Sequence, residues 1–233
     1  PTRLASFNDM QDSNFFTQFL NICCEKPVQP SYTEYVSLQH ALYEGDIEMD
    51  KVIDWIMQNP KDHRIIFEKI LFQGRDELSE PIPTELENFF NYIEQKPEWL
   101  DQRQIDEAVK FTHHLGINNG FILRDLSLMA GYLYPGFNQP LILTGALKKE
   151  AGTRLAETTK WWVDITEPQG LSRLSAGFTS TIYVRFIHAL VRRQLKKSDR
   201  WDSEVWGIPL NQFDLAMTNL AFSSVVLLGI RAL

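Results

Sequence analysis

The chain has 233 residues, 44% of them apolar and 12% aromatic, which excludes an intrinsically disordered protein and leaves ample material for a buried core. Its 23 Lys and Arg against 30 Asp and Glu give a net charge of −7, a poor match to duplex nucleic acid, whose affinity comes largely from phosphate neutralisation. Residues 1–110 carry ten basic and 21 acidic residues, whereas residues 111–233 carry 13 basic and nine acidic, so a local basic patch for a small anionic ligand stays open.

Taken in chain order, nearly every segment repeats its apolar residues at the helical period. Asn14–Cys24 is amphipathic and ends at Pro27 and Pro30. Ser31 is placed to cap a helix running to about Glu44, with Glu34 completing a capping box. Ile47–Gln58 follows and stops at Pro60, and Asp62–Phe72 carries Ile65, Ile66, Ile70 and Leu71 on one stripe before Gly74. Thr84 is expected to cap Glu85–Gln95, with Glu87 closing a second box. A long pattern from Gln102 to Tyr134 is interrupted at Gly116 and Gly120 and broken by Pro135 and Gly136. Leu141–Thr166 reads as mostly helical, Pro168 and Gly170 mark a loop, and a long helix spans about Leu174–Lys197. Its β-branched run "TSTIYVRFI" would suit a strand on propensity alone, but the continuous stripe favours a helix. Asn211–Leu233 is apolar and helical, and it stops without a C-terminal cap, as a C-terminally trimmed chain would. The expectation is one all-α domain.

Cys23 and Cys24 are the two cysteines; side by side, they offer no disulfide framework and fit a reducing compartment. No leader pattern opens the chain, and the longest apolar run, Ala221–Ile230, falls short of a bilayer span, so a cytoplasmic protein with no membrane span in this chain is expected.

Several chemistries lack their residues. There is no Cys-x-x-Cys-His, no paired Glu-x-x-His, no His-Glu-x-x-His and no glycine-rich nucleotide motif. Of the five histidines, His40, His63, His113 and His114 sit among polar neighbours and read as solvated or structurally satisfied. His188 differs, because Val184, Arg185, Val191, Arg192 and Leu195 share its helical face, apolar at the centre and cationic a turn away on either side. Such a face suits an axial haem ligand flanked by arginines that pair with the macrocycle carboxylates. It equally suits a core histidine, with Arg192, Arg193, Lys196 and Lys197 complementing the helix C-terminus. In "RLAETTKWW", Arg154, Glu157, Thr158 and Trp161 fall on one face and Trp162 borders it; they form either an inward polar cluster or a surface pair of Arg154 with Thr158 or Glu157.

At these residues the sequence resembles the helical haem-b oxygenases that include the latex-clearing rubber oxygenases and the MpaB-type proteins. The matching stretches are "KPEWLD", "LILTGAL", "RLAETTKWWVDI", "VRFIHALVRRQL", "WGIPLNQFDLAMTNLAFS" and "LLGIRAL", in the family's order, across roughly residues 80–233; residues 1–79 are an unmatched helical part. The resemblance implies a globin-reminiscent multi-helix fold holding one haem b, with His188 as the proximal iron ligand. It implies Arg154 and Thr158 on the distal side, Arg185 and Arg192 near the haem, and Thr218 in a helix closing the pocket. Latex-clearing enzymes carry a lysine just before the distal threonine, whereas Glu157 stands there in this chain, so distal lysine ligation is not expected. The function implied is a haem-dependent oxygenase or oxidase that turns dioxygen on an apolar, alkene-containing substrate, with Glu157 acting as a base or neutralising Arg154. The alternative is a non-catalytic helical module that binds haem or an apolar ligand.

Overall fold

The computed structural model describes Arg3 and residues 31–132, 134–146 and 151–232, and among these residues the chain is all-α with no strand. The segment Asn14–Cys24, with both cysteines, lies outside the described residues. The helices are α1 Tyr32–Ala41, α2 Ile47–Ile56, α3 Pro60–Gln73, α4 Thr84–Glu94, α5 Gln102–Leu115, α6 Ile117–Ile122, α7 Met129–Gly131, α8 Pro135–Thr144, α9 Ala151–Thr166, α10 Ala176–Lys196, α11 Ser203–Trp206, α12 Gln212–Phe222 and α13 Ser224–Ala232. They fall into two compact units, each drawn from separated stretches: Pro1–Gly45, Leu115–Gly145 and Val191–Leu233 form one, and Asp46–His114 and Ala146–Leu190 the other.

The second unit is built on aromatic packing. Met49, Val52 and Ile53 of α2, Phe67, Ile70 and Leu71 of α3, and Leu86, Phe89 and Phe90 of α4 are fully buried together with Ile182, Phe186 and Ala189 of α10. Each such aromatic or aliphatic side chain contributes about 1.5–3 kcal/mol of burial. Phe67 stacks on Phe186 at 5.0 Å between centroids and meets Phe90 at 6.2 Å. Arg173 ties the loop before α10 to this core. It donates to the terminal carbonyls of α3 at Ile70 and Leu71 and to Glu94 Oε1, with its guanidinium over Phe90 and Phe178. Leu71 O, without a helical donor, gains one here, and Ile70 O, which already accepts from Gly74 N, gains a second.

In the first unit, Ser31 caps α1 as expected, accepting from Glu34 N while Glu34 accepts from Ser31 N, so the local signal wrote the local structure. Ile208 N donates to Leu42 O and Gln212 N to Glu44 O, which docks the start of α12 beside the end of α1. Asp214 accepts a two-pronged contact from Arg3 at 2.7 and 3.2 Å. Past α6 the helix continues as a π-helical stretch, Leu123–Leu128, where buried Ser127 donates to Ala221 O.

Several boundaries differ from expectation. Thr84 is the first residue of α4 rather than its cap: Pro83 occupies the cap position, with its carbonyl accepting from Glu87 N, and no side chain caps the helix. The preceding helices stop before Pro60 and Pro135 as expected, and each proline also begins the next helix, since a proline costs nothing at a first turn whose N–H has no partner. Gly116, at φ +52°, separates α5 from α6, whereas Gly120 sits inside α6 without breaking it. The expected helix over Leu141–Thr166 ends one element at Gly145 and resumes at Ala151, residues 147–150 lying outside the described ones. The apolar C-terminal stretch reaches further than the run Ala221–Ile230. Gln212–Arg231 has a mean hydropathy of 1.6, enough by length and composition alone to cross a bilayer, yet a break at Ser223 divides it into α12 and α13.

Candidate functional site

Helices α9 and α10 form an antiparallel hairpin joined by the loop 167–175. Two contacts fix its register. Near the loop, Gly177 packs on backbone: a Cβ there would stand 2.7 Å from Asp164 O and 2.9 Å from Asp164 C. One turn on, Trp161 Nε1 donates to Thr181 Oγ1 at 2.8 Å, and that hydroxyl donates to Gly177 O. Arg154 lies seven residues, two helical turns, beyond Trp161 along α9, and His188 seven residues beyond Thr181 along α10.

The facing stripes agree with that register. Gly177, Thr181 and His188 recur at offsets of four and seven on α10, so His188 belongs to the stripe that meets α9, whereas Ile182, Phe186 and Ala189 form the core stripe. On α9, Arg154, Glu157, Thr158, Trp161 and Asp164 share the face that carries the Trp161 contact. His188 on α10, and Arg154 and Thr158 on α9, lie on the helical stripes that carry these two contacts. All three are half-buried, and Glu157 is exposed. No hydrogen bond or ion pair joins Arg154 to Glu157 or Thr158 among the described residues, so the surface pairing that the spacing allowed is not formed.

The remaining sequence-derived residues are placed differently. Arg185 is engaged by Asp46, with Nε 2.7 Å from Oδ2 and Nη2 2.9 Å from Oδ1, and its guanidinium lies over Phe89. Arg192 and Thr218 belong to the first unit. Arg192, 1% exposed, donates to Leu210 O at 2.9 Å and is therefore a core residue rather than a solvated complement to the helix end. Thr218 donates back to Asp214 O one turn earlier. His40, His113 and His114 are exposed. His63 is not solvated: its ring stacks on Trp55 at 3.9 Å with the planes 2° apart, and its Nδ1 is 2.8 Å from Trp55 O. Asp46 carries no mark of long-range importance in the sequence beyond being an acidic residue just before an apolar helix, the signal of a cap.

Comparison with known proteins supplies one distant likeness. Over 141 residues, 59% of this chain, the sequence is 25% identical to a rubber oxygenase from Streptomyces sp. (strain K30). The chain spans about a third of that relative's length, 34%. No protein-family profile matches the chain. No solved structure matches it either.

Proposed function

We propose that this chain is a haem-b-dependent oxygenase domain that uses dioxygen on an apolar, alkene-containing substrate, with His188 as the iron ligand. The observation that supports the reading is that His188 on α10 and Arg154 and Thr158 on α9 are all half-buried, on the stripes that carry the contacts between the two helices. Haem brings four equatorial nitrogens of its own, so one protein imidazole suffices where a bare ion would need several side chains. Among the described residues no group of three or more His, Cys, Asp or Glu is placed to hold such an ion. The donor set therefore fits haem better than a protein-ligated metal. The distant rubber oxygenase likeness supports the same class of reaction.

When bound, haem supplies the redox chemistry with dioxygen, and the residues supply binding, orientation and exclusion of water. His188 acts as a neutral imidazole with one nitrogen donating and the other N–H held by an acceptor that fixes its tautomer. Arg154 would supply positive charge and a fork of donors, and Thr158 a hydroxyl donor, to stabilise negative charge on the bound oxidant or substrate. Glu157, at the solvent edge, tempers the Arg154 charge or takes up a proton. Trp161 and Trp162 supply apolar wall on the same arm.

Titration of the protein with haem, followed by a pyridine haemochrome assay, tests this directly. A one-to-one Soret band that collapses in His188→Ala is expected. In Arg154→Ala the haem content stays and oxygen uptake with an alkene-containing hydrocarbon falls about 100-fold, the usual loss on removing one such donor. A band indifferent to His188→Ala would refute the ligand assignment, and haem binding with no oxygen uptake would favour the carrier module.

A further inference from the structure

We infer that Asp46 is the positioning residue for His188, acting through Arg185; the inference rests on the haem reading above. Asp46 does two things with one carboxylate. Its Oδ1 accepts Met49 N–H and so caps α2. Both its oxygens also grip Arg185 in a fork, at 2.7 and 2.9 Å, with side-chain exposures of 12% and 29%. Paired two-pronged contacts of this kind fix orientation as well as distance.

Arg185 precedes His188 by three residues and is its neighbour on the surface of α10. At this level of the helix, Phe186 and Ala189 press on the core, and Phe89 lies under the guanidinium. The hairpin contacts at Gly177 and Thr181 sit two to three turns away, so they set the register of α10 and leave its rotation at His188 to closer anchors. The Asp46 fork is such an anchor. A side chain reaching about 6 Å from the helix axis moves by about 1 Å for a 10° turn, twice the roughly 0.5 Å tolerance of a working ligand geometry. The resemblance implied Arg185 near the haem; with its guanidinium in the Asp46 fork, its part is to hold the helix that carries the imidazole.

The test uses the full chain loaded with haem b and reads haem affinity by titration, the Soret position and the ferric electron paramagnetic resonance spectrum. Asp46→Asn keeps an oxygen for Met49 N–H and removes the charge, so the cap survives while the fork is lost. The expected result is about tenfold weaker haem binding with a changed ferric spectrum, in the range seen when a residue orienting a ligand is removed. Asp46→Glu recovers part of both. Arg185→Gln reproduces the Asp46→Asn effect, and the double variant is no worse than either single one, because both break one linkage. In a His188→Ala background Asp46→Asn changes nothing further. Should Asp46→Asn lose helical circular dichroism, Arg185→Gln carries the same comparison. Wild-type affinity and spectrum in both fork variants, or an equal loss with and without His188, would overturn the positioning role alone. Failure of the wild-type chain to take up haem, or uptake independent of His188, overturns the haem reading and this inference with it.

Discussion

Gly177 offers a test in which two rules predict opposite signs. It is the second residue of α10, and replacing a helical glycine by alanine ordinarily stabilises by about 0.5–1 kcal/mol. Here the added Cβ would meet Asp164 O at 2.7 Å and Asp164 C at 2.9 Å, and Gly170 O closer still. These are backbone atoms that no rotamer change can remove, and ordinary contact begins near 3.4 Å, so α9 and the loop must retreat by at least 0.7 Å. Overpacking of this kind costs about 1–3 kcal/mol, and the clash wins by about 1–2 kcal/mol net. For a chain of this size that lowers Tm by about 2–8 °C. The control is Gly120→Ala, helical with no atom within 4 Å of the new Cβ, which should raise Tm slightly. Thermal unfolding by circular dichroism, with fluorescence of the six tryptophans as a second probe of the Trp161 contact, reads both. A Gly177→Ala variant at or above the wild-type Tm would refute the close packing of α10 on the end of α9 at Gly177.

Arg192→Ala should destabilise by about 3 kcal/mol in urea titration, since it removes a fully buried side chain and leaves Leu210 O without its donor; a change under about 0.5 kcal/mol would contradict its burial. Glu34 is held below the usual carboxylate range, first by the Ser31 backbone N–H and then by the Ser31 hydroxyl. A depressed folded value means that the capping box supports α1 above the ordinary glutamate pKa and is lost as pH falls through the folded one, so acid should fray this helix. Titration of Glu34 by nuclear magnetic resonance in Ser31→Ala should move upward towards the ordinary value, and an unmoved titration would argue against the box. Arg173→Ala opens the end of α3 and the Glu94 contact together, and hydrogen exchange should quicken at the last turn of α3 while α1 is unaffected.

What the sequence disclosed depended on range. The Ser31 box and the length of α10 rest on residues three to seven positions apart, and both were legible. The face shared by Arg154, Glu157, Thr158 and Trp161 was legible for the same reason, because helical period alone creates it. The stops before Pro60 and Pro135 were legible, but that each proline also opens the next helix was not, because only the following backbone decides it. His63 fits the expectation of a structurally satisfied histidine, but nothing local announces that Trp55, eight residues back across a turn, is its partner. The Asp46 fork joins residues 139 apart, and the packing of α9 on α10 is defined by the Trp161 and Gly177 contacts. Neither has a local signature.

The hairpin also behaves as a ruler with its zero mark at the loop. Removing one residue between Trp161 and Arg154, or between Thr181 and His188, would lower Arg154 or His188 by about 1.5 Å and swing it about 100° off its stripe. Insertions in the exposed part of the 167–175 loop leave both arms in step. In homologues that keep this chemistry, the two seven-residue intervals should therefore resist insertion and deletion while the bend between the arms varies in length.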